Sequence, residues 1–134
     1  MNIDLHSHFF PVDALQNLGK YENRAPKLVL ENGKLSVTSQ IGFRPGLGAG
    51  AYDPLARIKA LDEMDIDMQA ISPSPILLFY WEDAAVAAHF SRKQNEAIQA
   101  VVKKHPDRFI GFGSVPLQSV ADSIAIAEEA KSMG

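Results

Sequence analysis

Two histidines separated by one residue, His6 and His8, are the residues of this chain best placed by type and spacing to do chemistry. They lie in Asn2-Ile3-Asp4-Leu5-His6-Ser7-His8, where Ile3, Leu5 and Ser7 alternate with Asp4, His6 and His8. A period of two suits a strand. Alternate side chains of a strand point to one face, so both imidazoles can reach a single cation. Imidazole suits zinc and other divalent transition metals. The other reading is a polar strand end whose histidines make ordinary hydrogen bonds, and the spacing alone leaves both open. Catalytic zinc takes roughly three protein ligands. His89, among polar residues of a helical stretch, and His105, at a helix end, lack ligand spacing to the pair and read as surface residues. Asp4 is expected on the same face as the pair, supporting the strand end. The chain has no cysteine, which excludes a disulfide framework, a thiolate metal site and a cysteine nucleophile.

The elements that must carry these residues follow in order. Pro11 can open a short helix and Gly19 can close it. Lys27 to Leu30 and Lys34 to Thr38 flank Glu31-Asn32-Gly33, and Asn-Gly between alternating apolar residues marks a hairpin. Gly42 to Gly50 reads as a glycine-rich loop; its Gly46-Leu47-Gly48-Ala49-Gly50 lacks the dinucleotide fingerprint. Asp53-Pro54 reads as an N-cap and first helical residue. Leu55, Ile58, Leu61 and Met64 would give that helix one apolar face. Asp67 to Ser72 reads as a strand and Ala84 to Lys104 as a long helix stopped by Pro106. Glu82-Asp83 would serve the start of that helix. Arg108 to Val115 reads as a buried strand, with Gly111 and Gly113 permitting close packing. Ser119 caps a last helix carrying Val120, Ala121, Ile124, Ala127 and Ala130. Strands alternating with helices imply βαβ units and a parallel sheet. The last helix finishes on Met133-Gly134, where such a series would begin another strand, so the pattern reads as the front of a longer fold, the other reading being a small open α/β domain.

Composition narrows the function. The 134 residues are 46% hydrophobic and 22% charged, ordinary for one soluble globular domain. Thirteen Lys+Arg against sixteen Asp+Glu give a net charge of −3, with no basic footprint for nucleic acid or an anionic membrane. No apolar stretch approaches the roughly 20 residues of a membrane span, and the N-terminus has no secretory signal pattern. A cytoplasmic protein is the expectation.

Beyond the histidine pair, several blocks in order resemble one family. They are Ile3-Asp4-Leu5-His6-Ser7-His8 with Pro11, then Tyr52-Asp53-Pro54 through Arg57-Ile58, and Leu61-Asp62-Glu63-Met64-Asp65. Gln69-Ala70-Ile71-Ser72-Pro73, Tyr80-Trp81 and Asn95-Glu96 follow. Last come His105-Pro106-Asp107-Arg108-Phe109 and Gly111-Phe112-Gly113-Ser114-Val115-Pro116-Leu117-Gln118. Together they resemble the amidohydrolase superfamily, in the branch of aminocarboxymuconate semialdehyde decarboxylase, over nearly the whole chain.

The resemblance implies an α/β fold: the N-terminal portion, about three βα units, of a (β/α)8 TIM barrel, with a β-hairpin excursion after the first strand. A complete barrel runs to about 250 residues, so residues 1–134 are expected to form a partial amidohydrolase-related TIM-barrel domain. The resemblance also implies that His6 and His8 bind a divalent metal, zinc foremost, with the remaining ligands and the acid/base residue on later strands. Phe43-Arg44 matches a Phe-Arg pair whose arginine is associated with substrate binding, and guanidinium is a good bidentate partner for carboxylate. A second arginine of that pattern has no counterpart in Pro45 to Gly50. Trp81 is the further candidate substrate contact, lining the mouth of the site or packing beneath the loop. The implied activity is metal-dependent decarboxylation of a small unsaturated or aromatic carboxylate. The same half-site would serve hydrolysis of an amide, ester or lactone. A third expectation, for the 134 residues alone, is a non-catalytic piece that self-associates through open sheet edges.

Overall fold

The fold is described from a computed structural model, for residues 1–16 and 18–134. The histidine stretch forms strand β1, Ile3–Phe9. After two 3₁₀ turns, Val12–Leu15 and Gly19–Arg24, three strands follow: β2 at Lys27–Glu31, β3 at Lys34–Ser39 and β4 at Gly42–Leu47. Helix α1 spans Pro54–Glu63, strand β5 Met68–Pro73, helix α2 Ala84–Lys104, strand β6 Phe109–Gly111 and helix α3 Val120–Met133. Two sheets result. One is parallel in the order β1-β5-β6; the other is antiparallel in the order β2-β3-β4. This is the expected series of βα units with an antiparallel excursion after β1.

The local signals explain most elements. Asp53 accepts a bond from the Leu55 N–H and Pro54 opens α1; Ser119 accepts from the Asp122 N–H and opens α3. Asn32 and Gly33, both at positive φ (51° and 73°), make the two-residue turn between β2 and β3, the geometry an Asn-Gly hairpin favours.

The excursion departs from expectation. Gly42 to Leu47 is a strand, not a loop, paired with β3 along Ser39↔Gly42, Thr38↔Phe43 and Val37↔Arg44. Its glycines and Pro45 hid it, and an edge strand tolerates both because one side of its backbone needs no partner. Gly19 starts the second 3₁₀ turn instead of closing a first helix. The third strand is shorter than predicted, three residues, and only Gly111 of the two glycines lies in it. A Cβ there would stand 3.0 Å from Ile98 Cγ2 and 3.2 Å from Val102 Cγ2, so the missing side chain lets α2 lie against the strand.

Two apolar clusters hold the layers together. Phe9, Leu61, Ile71, Ile98 and Phe109 fill the space between the parallel sheet and helices α1 and α2. Leu35, Val37, Leu77, Phe79, Val86 and Phe90 are part of a second cluster that seats the antiparallel sheet on the start of α2. Phe79 and Phe90 stack with centroids 3.8 Å apart.

Two predicted helix faces are only partly buried. On α1, Leu61 is buried while Leu55 and Met64 are exposed. Steps of three residues drift around a 3.6-residue helix, so these positions cannot share one face for long. On α3 the buried residue is Ile126, while Val120 and Ile124 are exposed.

Glu82 does not serve the start of α2. Its side chain, 2% exposed, pairs with Arg24 and accepts from Gln40 Nε2, tying the excursion to the chain after β5. Among the described residues, no helix is long and apolar enough to cross a membrane.

Candidate functional site

The sequence places His6 and His8 near the C-terminal end of β1, the end at which parallel α/β sheets carry their sites. A β-bulge fixes how they are presented. Asp4 pairs with Gln69 and Ser7 with Ile71, so β1 spends three steps where β5 spends two. The extra residue breaks the expected alternation. Asp4 faces Gln69 and accepts from its Nε2 at 2.6 Å, on the side where Arg57 of α1 packs. It does not share the histidines' face as predicted, but it supports the strand end as expected, accepting from the His6 N–H at 3.0 Å. His6 and His8 do come together, with ring centroids 5.1 Å apart and planes at 76°.

That spacing fits one shared ion. Zinc lies about 2 Å from a ligating imidazole nitrogen, hence about 3 Å from the ring centre, and two rings around it at a tetrahedral angle have centres about 5 Å apart. Among the described residues, no group of three or more His, Cys, Asp or Glu side chains is arranged to hold a metal, so the pair has no third such side chain beside it.

The back of the pair is held by Arg57. Its Nε donates to the Gly50 carbonyl, Nη2 to the His8 carbonyl at 2.6 Å, and Nη1 to Ser7 Oγ and Gln69 Oε1 at 3.0 and 2.8 Å. Ser7 Oγ in turn donates to the Ala70 carbonyl. One side chain of α1 therefore locks β1 to β5 beside the histidine pair. Burial pushes the Arg57 guanidinium below its ordinary pKa, and the Asp4 carboxylate opposes this.

The front is set by β5. His8 Nδ1 lies 3.1 Å from Ser72 Oγ, and Ser72 Oγ donates to the Ser7 carbonyl at 3.1 Å. Burial pushes the His8 imidazole below its ordinary 6.5, helped by the charges of His6, Arg57 and Arg44; the Pro73 carbonyl opposes this. A neutral imidazole is the metal-binding form. Hydrogen bonds from the Gln69 side chain and the His6 N–H hold Asp4 below the usual carboxylate range.

The other candidates are distributed around the excursion. Arg44 lies on β4, exposed, and its charge is felt at His8. Its neighbour Phe43 is exposed opposite Thr38. Trp81 is half-buried against Phe79, with centroids 5.5 Å apart, on a cavity of about 260 Å³ shared with Arg24, Pro26, Thr38 and Gln40. The lining of that cavity includes neither histidine. A larger hollow of about 700 Å³, between α1 and α2, also lies away from the pair. His89 is not the surface residue predicted: its ring packs on Tyr21 at 4.9 Å and its Nε2 is buried with no partner among the described residues. His105, half-buried, caps the end of α2 and meets Phe109 edge-on.

Sequence reasoning assigned no role to Arg57, Gln69 or Ser72. All three lie within the blocks that carry the family resemblance. The one further signal is Arg57's position a turn before the buried Leu61, where a cation needs partners.

The fold defines a class: the opening βα units of a TIM barrel, carrying an antiparallel insertion. Comparison with known proteins agrees. No family model matches the chain. It is 31% identical over 129 residues to 2-amino-3-carboxymuconate-6-semialdehyde decarboxylase of Dictyostelium discoideum, a match covering 92% of this chain and 35% of that protein. Among solved structures, 5-carboxyvanillate decarboxylase from Sphingomonas paucimobilis superposes with a TM-score of 0.69 at 18% identity, covering 96% of this chain and 38% of that one. A dihydroxybenzoic acid decarboxylase from Polaromonas, with bound manganese and the inhibitor 2-nitroresorcinol, gives 0.64 at 20% identity, covering 100% and 36%. These relatives and solved structures are named as decarboxylases, and the chain spans about a third of the length of the curated relatives it matches.

Proposed function

We propose that these residues are the opening part of a metal-dependent decarboxylase acting on a small unsaturated or aromatic carboxylate. The observation that carries the reading is the imidazole pair at the end of β1, with ring centroids 5.1 Å apart. His6 and His8 would hold a divalent ion, for which zinc is our assignment; manganese, present in the Polaromonas enzyme, is the competing one. Bound there, the ion would supply Lewis acidity and a template for the substrate. Arg44 would bind the substrate carboxylate, a bidentate match to guanidinium. Phe43 and Trp81 would offer apolar contact to its unsaturated framework. Arg57 holds the backbone of His8 in place, and Ser72 contacts its ring. Two imidazoles are fewer ligands than a catalytic zinc takes. The 134 residues by themselves are therefore expected to bind metal weakly and not to turn over.

Product analysis on polypeptide that carries this chain with a complete ligand set tests the reading. One CO₂ released per carboxylate consumed, lost in His6→Ala and His8→Ala, is the expected result. Opening of an amide, ester or lactone without CO₂ would replace decarboxylation by hydrolysis. Turnover unchanged in both variants would overturn the site.

A further inference from the structure

We propose that Ser72 is a positioning residue for His8: its hydroxyl holds the imidazole as the Nδ1–H tautomer and so leaves the Nε2 lone pair free for the ion. The inference rests on the reading of His6 and His8 as metal ligands. Ser72 Oγ lies 3.1 Å from the Ser7 carbonyl oxygen and 3.1 Å from His8 Nδ1. A hydroxyl has one hydrogen to donate. The carbonyl can only accept, so that hydrogen goes to Ser7. The contact with His8 is then a hydrogen bond only if Nδ1 carries the proton and donates it to Ser72 Oγ. The opposite tautomer would leave two lone pairs facing each other across one of the two contacts.

The arrangement is built by the strands themselves. His8 and Ser72 are register partners on adjacent parallel strands, so their side chains stand on the same side of the sheet. The acceptor of the Ser72 hydrogen, the Ser7 carbonyl, belongs to the same stretch of β1 that Arg57 anchors through Ser7 Oγ and the His8 carbonyl. The relay His8 Nδ1–H to Ser72 Oγ–H to the Ser7 carbonyl is therefore closed on a fixed backbone. Ligating histidines generally donate their second ring N–H to such a partner, and losing it weakens metal binding about 10- to 100-fold.

Long-range ¹H–¹⁵N spectra of the metal-free 134-residue protein, recorded where imidazoles are neutral, read the tautomer directly. In the unmodified protein His8 is expected to show a protonated Nδ1 and an unprotonated Nε2. Ser72→Ala should shift His8 toward the Nε2–H form, and Ser72→Thr, which keeps the hydroxyl, should restore Nδ1–H. Backbone amide spectra confirm that each variant is folded. With manganese alone as the probe, Ser72→Ala should bind about 10- to 100-fold more weakly than the unmodified protein or Ser72→Thr. A His8 protonated on Nε2 in the unmodified protein overturns the proposal, as does a tautomer and affinity unchanged by Ser72→Ala. The two readings fail separately. Absence of manganese binding at His8 in a protein with the Nδ1–H tautomer would remove the metal assignment and leave the Ser72–His8 relay standing.

Discussion

At the scale of the residue, His8 gathers several influences that keep it neutral. Burial and the charges of His6, Arg57 and Arg44 lower its pKa from 6.5. An imidazole whose folded value lies below its unfolded one takes up fewer protons in the folded state, so stability rises with pH across that window and falls as pH drops below about 6.5. His89, lowered chiefly by burial and by Lys93 and Lys20, acts in the same sense. Asp4 acts in the same sense in a more acid window: its lowered value contributes stability above 3.8 that is lost as pH falls further. Urea denaturation midpoints are therefore expected to fall between about pH 7 and pH 5, and His8→Gln should flatten that slope. An unchanged slope in His8→Gln would show that His8 is as easily protonated in the fold as outside it. The pair itself was legible in the sequence as His-x-His on a period-two stretch. The departure of Asp4 was not, because one inserted residue in β1 changes the phase and nothing in Ile3-Asp4-Leu5-His6 announces a bulge.

At the scale of the element, α1 acts as a clamp and the excursion as a tethered flap of sheet. Arg57→Ala removes four hydrogen bonds from one guanidinium to β1, β5 and the Gly50 turn. Bonds to a charged group are worth about 1.5–3 kcal/mol each and do not add fully. A loss of roughly 3 kcal/mol in chemical denaturation is expected, with Arg57→Lys recovering little because an ammonium cannot reproduce the fork. A loss below about 0.5 kcal/mol would mean that water replaces these bonds at no cost. Glu82→Ala should act elsewhere. It frees Arg24 and Gln40, so amide exchange is expected to accelerate in β2, β3 and β4 while β1 and β5 keep their protection. Equal acceleration in both sheets would show that they open as one unit. Helices α1, α2 and α3 were readable because caps and stop signals are local: Asp53-Pro54, Pro106 and Ser119 each lie beside the boundary they mark. Strand β4 was not, since its partner is β3 and its own residues carry turn chemistry.

At the scale of the whole molecule, the parallel sheet has two outer strands, β1 and β6, each paired on one side only. Unpaired parallel edges and exposed apolar residues such as Leu5, Leu117 and Val120 are a route to association. The 134-residue protein is expected to self-associate as its concentration rises. Sedimentation velocity from micromolar to millimolar protein measures this, and a monomer throughout would contradict it. The order of βα units was legible because each unit closes on its own caps and turns. The burial of faces was less so: the apolar steps of α1 and α3 could not say which side meets the sheet, and the β6 strand ends as soon as its register with β5 does, at Gly111.

The central claim is that His6 and His8 form one cation grip at the end of β1. Manganese titrated into the protein tests it through paramagnetic broadening, which registers even weak, rapidly exchanging binding. The ring resonances of His6 and His8 should broaden together at low metal, while His89 and His105 stay sharp. Broadening that begins at His89 or His105, or that leaves the first two untouched, would contradict the account.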